Sequence, residues 1–344
     1  MSESMDVTDN QNDNPPTLAG LSSLKVKFDA GNNTQSRALV ANGRMQVKVQ
    51  VLVAGVDADG NAMHVPADVM ESIQLVHYAT GKTLRDGWVA SAVQGRFTRE
   101  ARPAPDAEDR HDDDLENDSV HPQVRTFWVS SSSAGTTEIG ARLSVNGETI
   151  LSNGTTPASV HYSSVTVEAE TPSTYGVDGV FRLYQTRIGN ESPGNRIWKY
   201  HLGLYPGGKQ IRLVDWIAEG AEEGKDYDFA GGNRLNEIKT NYMECIFVRP
   251  ETSSVVVSLP DRGDPFAYTF TSDAQTWNSK HYHVNTQSDG ELTIVQALSE
   301  YSKNTGPQKY GGVLPFIAID ENGTEHKMAT PGNFHERNLY LQRG

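Results

Sequence analysis

The sequence predicts a mostly β protein made of two β-sandwich-like domains, the first with immunoglobulin-like proportions, and at most one or two short helices. Three observations carry this expectation. Apolar residues recur at every second position in run after run, Gly, Asn, Asp and Ser cluster between the runs, and 344 residues suffice for two hydrophobic cores.

The elements follow in chain order. Residues 1–20 are polar and acidic, offer little to bury, and read as an N-terminal arm that is disordered or ordered only by assembly. Residues 21–172 form the first predicted domain. Leu24, Val26 and Phe28 alternate with lysines, and Val47, Val49, Val51 and Val53 form one face opposed by Gln46, Lys48 and Gln50. β-branched residues at period two argue for half-buried strands. Ile73 to Tyr78, Trp88 to Val93, Val124 to Ser130, Thr137 to Val145, Glu148 to Ser152 and His161 to Glu170 continue the series. Asn146-Gly147 between two of these runs is a strong hairpin signal. An acidic loop, 101–121, interrupts them.

Thr171-Pro172-Ser173 reads as a boundary, and 173–344 as a second, mostly β domain. Its strand candidates are Tyr200 to Leu204, a return strand with Ile211, Leu213 and Ile217 on one face, Met243 to Val248, Ser254 to Leu259, Phe266 to Thr271, Val313 to Ile319 and Glu325 to Met328. One segment, 291–303, has helical spacing through Ile294, Leu298 and Tyr301, with Asp289 as its cap.

Composition narrows the function. With 44 Asp+Glu against 30 Lys+Arg, the formal charge is −14, which repels phosphate backbones and makes nucleic acid a poor partner. No apolar run is long enough for a spanning helix. The first residues lack the basic and apolar regions of a secretory signal, so the sequence predicts synthesis in the cytoplasm, with a particle or release as later destinations. The single cysteine, Cys245, shares a strand face with Met243 and Phe247 and reads as a buried thiol.

The run containing Asp112, Asp113 and Asp114 clusters carboxylates of the kind Ca²⁺ prefers, yet it lacks the regular spacing and glycine of a calcium loop. Asp57-x-Asp59-Gly60 is a second acidic turn of this type. His281 and His283 share a face if their segment is a strand, and a metal site there needs a third ligand such as His201, His326 or His335. The expectation is therefore no cofactor and no metal. Trp198, Trp216 and Trp277 are candidates for stacking on sugars or for anchoring cores, with Asp215, Glu219, Glu222, Glu223, Asp226 and Asp228 as nearby acids. Arg262-Gly263-Asp264, held between two prolines, is an adhesion-type tripeptide on a rigid turn.

No motif for nucleophilic, metal-dependent or phosphoryl-transfer catalysis is present, so the sequence points to a non-enzymatic structural or interaction protein. It would assemble with copies of itself or dock on a protein partner, as a phage or tail-like particle component or a surface or secreted fibre. Two alternatives stand beside it. From Thr126 to Thr174, 19 of 49 residues are Ser or Thr, a composition similar to that of aerolysin-type pore formers, and only this alternative brings in a membrane. The other is a carbohydrate-binding protein.

Overall fold

A computed structural model describes residues 17–29, 34–99, 122–156, 161–218, 227–232, 242–260, 279–286, 289–299, 313–331 and 338–344. Most of residues 1–20, the acidic segment 101–121 and the strand candidate Phe266 to Thr271 lie outside them. The chain divides into two compact units, Met1–Pro172 and Ser173–Gly344.

Unit 1 opens with β1 (Gly20–Lys27), β2 (Ser36–Val40), β3 (Gln46–Val56) and the short β4 (Ala62–Met63). A six-residue helix, α1 (Ala67–Ser72), leads to β5 (Gln74–His77), β6 (Trp88–Ser91) and β7 (Thr98–Arg99). β8 (Gln123–Ser131), β9 (Gly135–Val145), β10 (Glu148–Leu151) and β11 (Val165–Glu170) complete it. One sheet runs β1-β3-β8-β6, with β4 and β7 also on β3; the other runs β10-β9-β11-β2, with β5 also on β9.

The inward faces of the two sheets make one core. Val47, Val49, Val51 and Val53 of β3 and Val129 of β8 meet Ile139, Ala141 and Leu143 of β9 and Val165 and Val167 of β11. This is the two-sheet sandwich that strict alternation predicts. The β9–β10 hairpin turns on Asn146 and Gly147, both at positive φ (52° and 82°), with Val145 opposite Glu148. Two consecutive left-handed residues define the tight turn whose twist matches the strands. The last residues of the predicted arm belong to the sandwich instead: Leu18 is buried in the core and the Ala19 N–H donates to Val56 O at 2.9 Å. A leucine and an alanine are enough to extend the first strand's contacts backwards.

Unit 2 contains β12 (Phe181–Arg187), β13 (Asn195–Leu204), β14 (Leu213–Ala218), β15 (Tyr227–Gly232), β16 (Tyr242–Val248) and β17 (Ser254–Pro260). β18 (Ser279–Asn285), β19 (Leu292–Ser299), β20 (Val313–Asp320), β21 (Glu325–Pro331) and β22 (Gln342–Arg343) follow. A five-stranded sheet runs β12-β13-β19-β16-β15, a four-stranded sheet β14-β20-β21-β22, and β17 and β18 form a separate hairpin.

The five-stranded sheet is covered on both sides. Tyr200, Leu202, Met243, Cys245, Phe247, Ile294 and Leu298 pack toward Trp216, Phe316 and Met328 of the four-stranded sheet. From the opposite face, Ile197, Ile246, Val295 and Ala297 pack against Val257, Leu259, Tyr282 and Val284 of the hairpin.

Two expectations need correction. Within the predicted helix 291–303, Leu292–Ser299 is instead β19, hydrogen-bonded between β13 and β16 and buried at every position, and 300–303 lie outside the described residues. A central strand covered on both faces loses its alternation, and Ile294 and Leu298 fall at helical spacing as well. The return strand β14 does not keep Leu213 and Ile217 on one face. A register shift between Leu213 and Asp215 turns Trp216 inward and leaves Ile217 exposed.

Candidate binding surface

Among the described residues, the hairpin β17–β18 covers only part of the outer face of the five-stranded sheet. On the remainder, strand alternation sends Phe181 and Leu183 to the core side and Arg182, Tyr184 and Thr186 outward. Lys199, His201 and Gly203 of β13 share this outward face, because their neighbours Tyr200, Leu202 and Leu204 fill the core. Glu291 enters immediately before β19, and Tyr205 immediately after β13.

These side chains interlock. Tyr184 and His201 are cross-strand partners in register, and their rings stack at 4.8 Å with 22° between planes. The Tyr184 hydroxyl donates to Glu291 Oε2 at 2.7 Å, and the Tyr205 hydroxyl donates to Glu291 Oε1 at 2.6 Å. The Arg182 guanidinium lies 4.6 Å over the Tyr205 ring. Gly203 makes this possible, since a Cβ there would sit 2.5 Å from Tyr205 Cε2 and 2.9 Å from Glu291 Oε1.

The electrostatics follow from that geometry. Hydrogen bonding to Glu291, aided by burial and the carboxylate's charge, pushes the Tyr184 hydroxyl up to about 12. The same bond raises Tyr205, with Arg182 opposing. Burial lowers His201, Lys199 adds to that, and Glu291 works against it. The surface therefore sets two phenols and an imidazole around the Glu291 side chain. Such a set fixes aromatic rings at a surface; it holds no activated nucleophile.

The residues singled out in the sequence fall elsewhere. Trp216 is 1% exposed, its indole N–H donating to Val248 O at 2.8 Å, so it anchors the core. Trp198 is half-buried against the same core, with the Arg187 guanidinium 5.8 Å from its ring. His281 and His283 do share a face of β18, exposed opposite Ser258 and Val256 of β17. Among the described residues no group of three or more His, Cys, Asp or Glu could hold a metal ion. Asp57 instead closes its own turn, accepting from the Asp59 and Asn61 amides and the Asn61 side chain, which lowers its pKa. Asp215 accepts from the Trp216 amide at 2.8 Å. Trp277, Arg262, Gly263, Asp264, Asp112, Asp113, Asp114, His335, Glu219, Glu222, Glu223 and Asp226 lie outside the described residues, as does the side chain of Asp228.

Tyr184, Tyr205 and Glu291 were not foreseen. The Tyr184 to Glu291 bond joins residues 107 apart in sequence, and only Gly203, a small residue in an otherwise bulky alternating strand, hinted at a close approach.

No family model and no curated protein matches the chain. Solved structures that align with it include one named BspA_C_WT, at 9% identity over 93% of this chain and 99% of that one, with a TM-score of 0.17. Another is the C-terminal domain of the Streptococcus pyogenes antigen I/II-family protein AspA, at 9% identity over 93% of this chain and 99% of that one, with a TM-score of 0.19. At these TM-scores nothing further about this chain follows from the likeness. Among the described residues no helix is long and apolar enough to cross a membrane.

Proposed function

We propose that this chain is a non-enzymatic interaction protein, and that the tyrosine–carboxylate surface of unit 2 is where a second copy of the chain docks. One observation carries the reading. Tyr184 is 48% exposed, yet its ring is braced on His201 and its hydroxyl on Glu291. Its side-chain entropy is spent before any partner arrives, which lowers the cost of association. Tyrosine and arginine are also the residue types that dominate contact energies between proteins.

Charge supports a second copy as the occupant. A chain carrying −14 repels itself unless the contacting faces are balanced. Arg182 acts on Tyr205, Lys199 acts on His201, and Asp289 is close enough to act on Tyr184. A two-fold contact brings the cations of one copy against the carboxylates of the other. The sole thiol argues against nucleophilic use, because burial pushes Cys245 up to about 12. A particle component or a fibre is the setting such self-association suits.

Sedimentation equilibrium across concentration tests the proposal. Wild type is expected to associate reversibly, with Tyr184→Ala and Arg182→Glu each weakening association by about tenfold or more. A wild type that stays monomeric at every concentration, or variants that associate as tightly, would overturn it.

A further inference from the structure

A groove in unit 1 has a different character. It encloses about 420 Å³ and is lined by Lys27 from β1, Gln35 ahead of β2, Tyr78 after β5, and Tyr162 and Ser164 ahead of β11. We infer that it is a saccharide-binding site, taking a neutral oligosaccharide with one sugar ring stacked on Tyr162.

Tyr162 is the platform. It is 74% exposed, and it sits closely over Gly154, where a Cβ would meet Tyr162 Cζ at 2.4 Å and Cε1 at 2.5 Å. Gly154 also has a positive φ of 68°, so two requirements keep this position a glycine. An aromatic ring with one side on backbone and the rest in water is the apolar half of a sugar site, suited to the C–H face of a pyranose.

The polar half is built around it. Ser163 ties the groove's floor together, its Oγ accepting from the Val26 N–H at 2.9 Å and donating to Val26 O at 3.3 Å. The Ser164 hydroxyl donates to Glu138 Oε1 at 2.5 Å, bringing a carboxylate to the rim. Burial raises Tyr78, and Glu138 and Tyr162 add to the shift, which places both phenols and the carboxylate in one neighbourhood. Lys27 supplies donors, Gln35 both donors and acceptors, and the phenols either. Lys27 is the one charged residue of the lining, and Glu138 sits behind it on Ser164. Hydroxyls, which donate and accept at the same atom, fit this mixed lining better than a fixed charge does. The inference draws on none of the unit 2 residues and stands apart from the self-association proposal.

Saturation-transfer NMR on the full chain tests it, with cellohexaose, maltohexaose, laminarihexaose, xylohexaose, mannohexaose and chitohexaose as probes. At least one is expected to receive saturation at its ring protons. Tyr162→Ala should weaken that binding by about fivefold or more, while Tyr162→Phe and the unit 2 variant Tyr340→Ala keep it. Circular dichroism of each variant confirms that the exposed substitution has left the fold intact. Failure of all six probes to bind, unchanged binding in Tyr162→Ala, or equal loss in Tyr162→Phe would overturn the inference.

Discussion

Trp216 illustrates what a single residue decides in unit 2. Its ring meets Phe247 edge-on at 5.1 Å and Phe316 at 5.5 Å, and its N–H is satisfied by Val248 O. Trp216→Ala is expected to cost about 3–5 kcal/mol in urea unfolding, and a loss below about 1 kcal/mol would contradict its place in the core. Tyr184 makes a prediction of opposite character. Its pKa is raised from 10.0 to about 12, so the hydrogen bond to Glu291 is fully present below pH 10 and is lost as pH rises toward about 12. Alkaline titration at 295 nm should show late-ionising phenols, and Tyr184→Phe should remove one of them; titration of every tyrosine near 10 would contradict the geometry. Cys245, wholly buried, should resist aromatic disulfide reagents at pH 8 in the native protein and react fully in denaturant. Sequence alone left Trp198, Trp216 and Trp277 with two readings, sugar platform or core anchor, because side-chain type does not state depth. Burial assigns Trp216 to the core, while the exposed aromatic roles pass to tyrosines.

At the scale of elements, alternation was legible in the long strands of unit 1, while the half-exposed β12 went unread and the register shift in β14 broke its pattern. Val47, Val49, Val51 and Val53 are all 0% exposed, as their spacing predicts, and Asn146-Gly147 makes the turn its chemistry requires. Alternation fails where both faces are covered. β19 lies between the four-stranded sheet and the β17–β18 hairpin, so Leu292 through Ser299 carry no polar face to betray a strand. The short α1 escaped for the opposite reason: six residues with Val69 alone buried give too little pattern. The covering layers have a dynamic consequence. Amides of β19, bonded on both sides and screened on both faces, should be among the slowest in unit 2 to exchange with deuterium; fast exchange there would contradict the layer order. Edge strand β12 carries Arg182 and Arg187, charges that discourage indiscriminate strand pairing and leave side-chain docking as its mode of contact.

At the scale of the whole molecule, each unit has a core of its own. Val47 to Val53 pack with Ile139 and Val167 in one, and Trp216, Phe247 and Phe316 pack together in the other. Fragments 1–172 and 173–344 should each give β-type circular dichroism and unfold cooperatively, whereas a half that is unfolded alone would show that its core is incomplete. The tyrosine–carboxylate surface belongs wholly to unit 2, so self-association should follow 173–344 and not 1–172. Its assembly could not be read from the sequence, because strands far apart in the chain bring Arg182, Tyr184, Gly203, Tyr205 and Glu291 together. A photo-crosslinker in place of Thr186, on the same outward face as Tyr184, tests that surface most directly. Irradiation of the full chain should give a covalent species at twice 37.7 kDa, with linked peptides from 182–205 and 289–291 of the second copy. Absence of an intermolecular product, or links confined to other regions, would contradict the account.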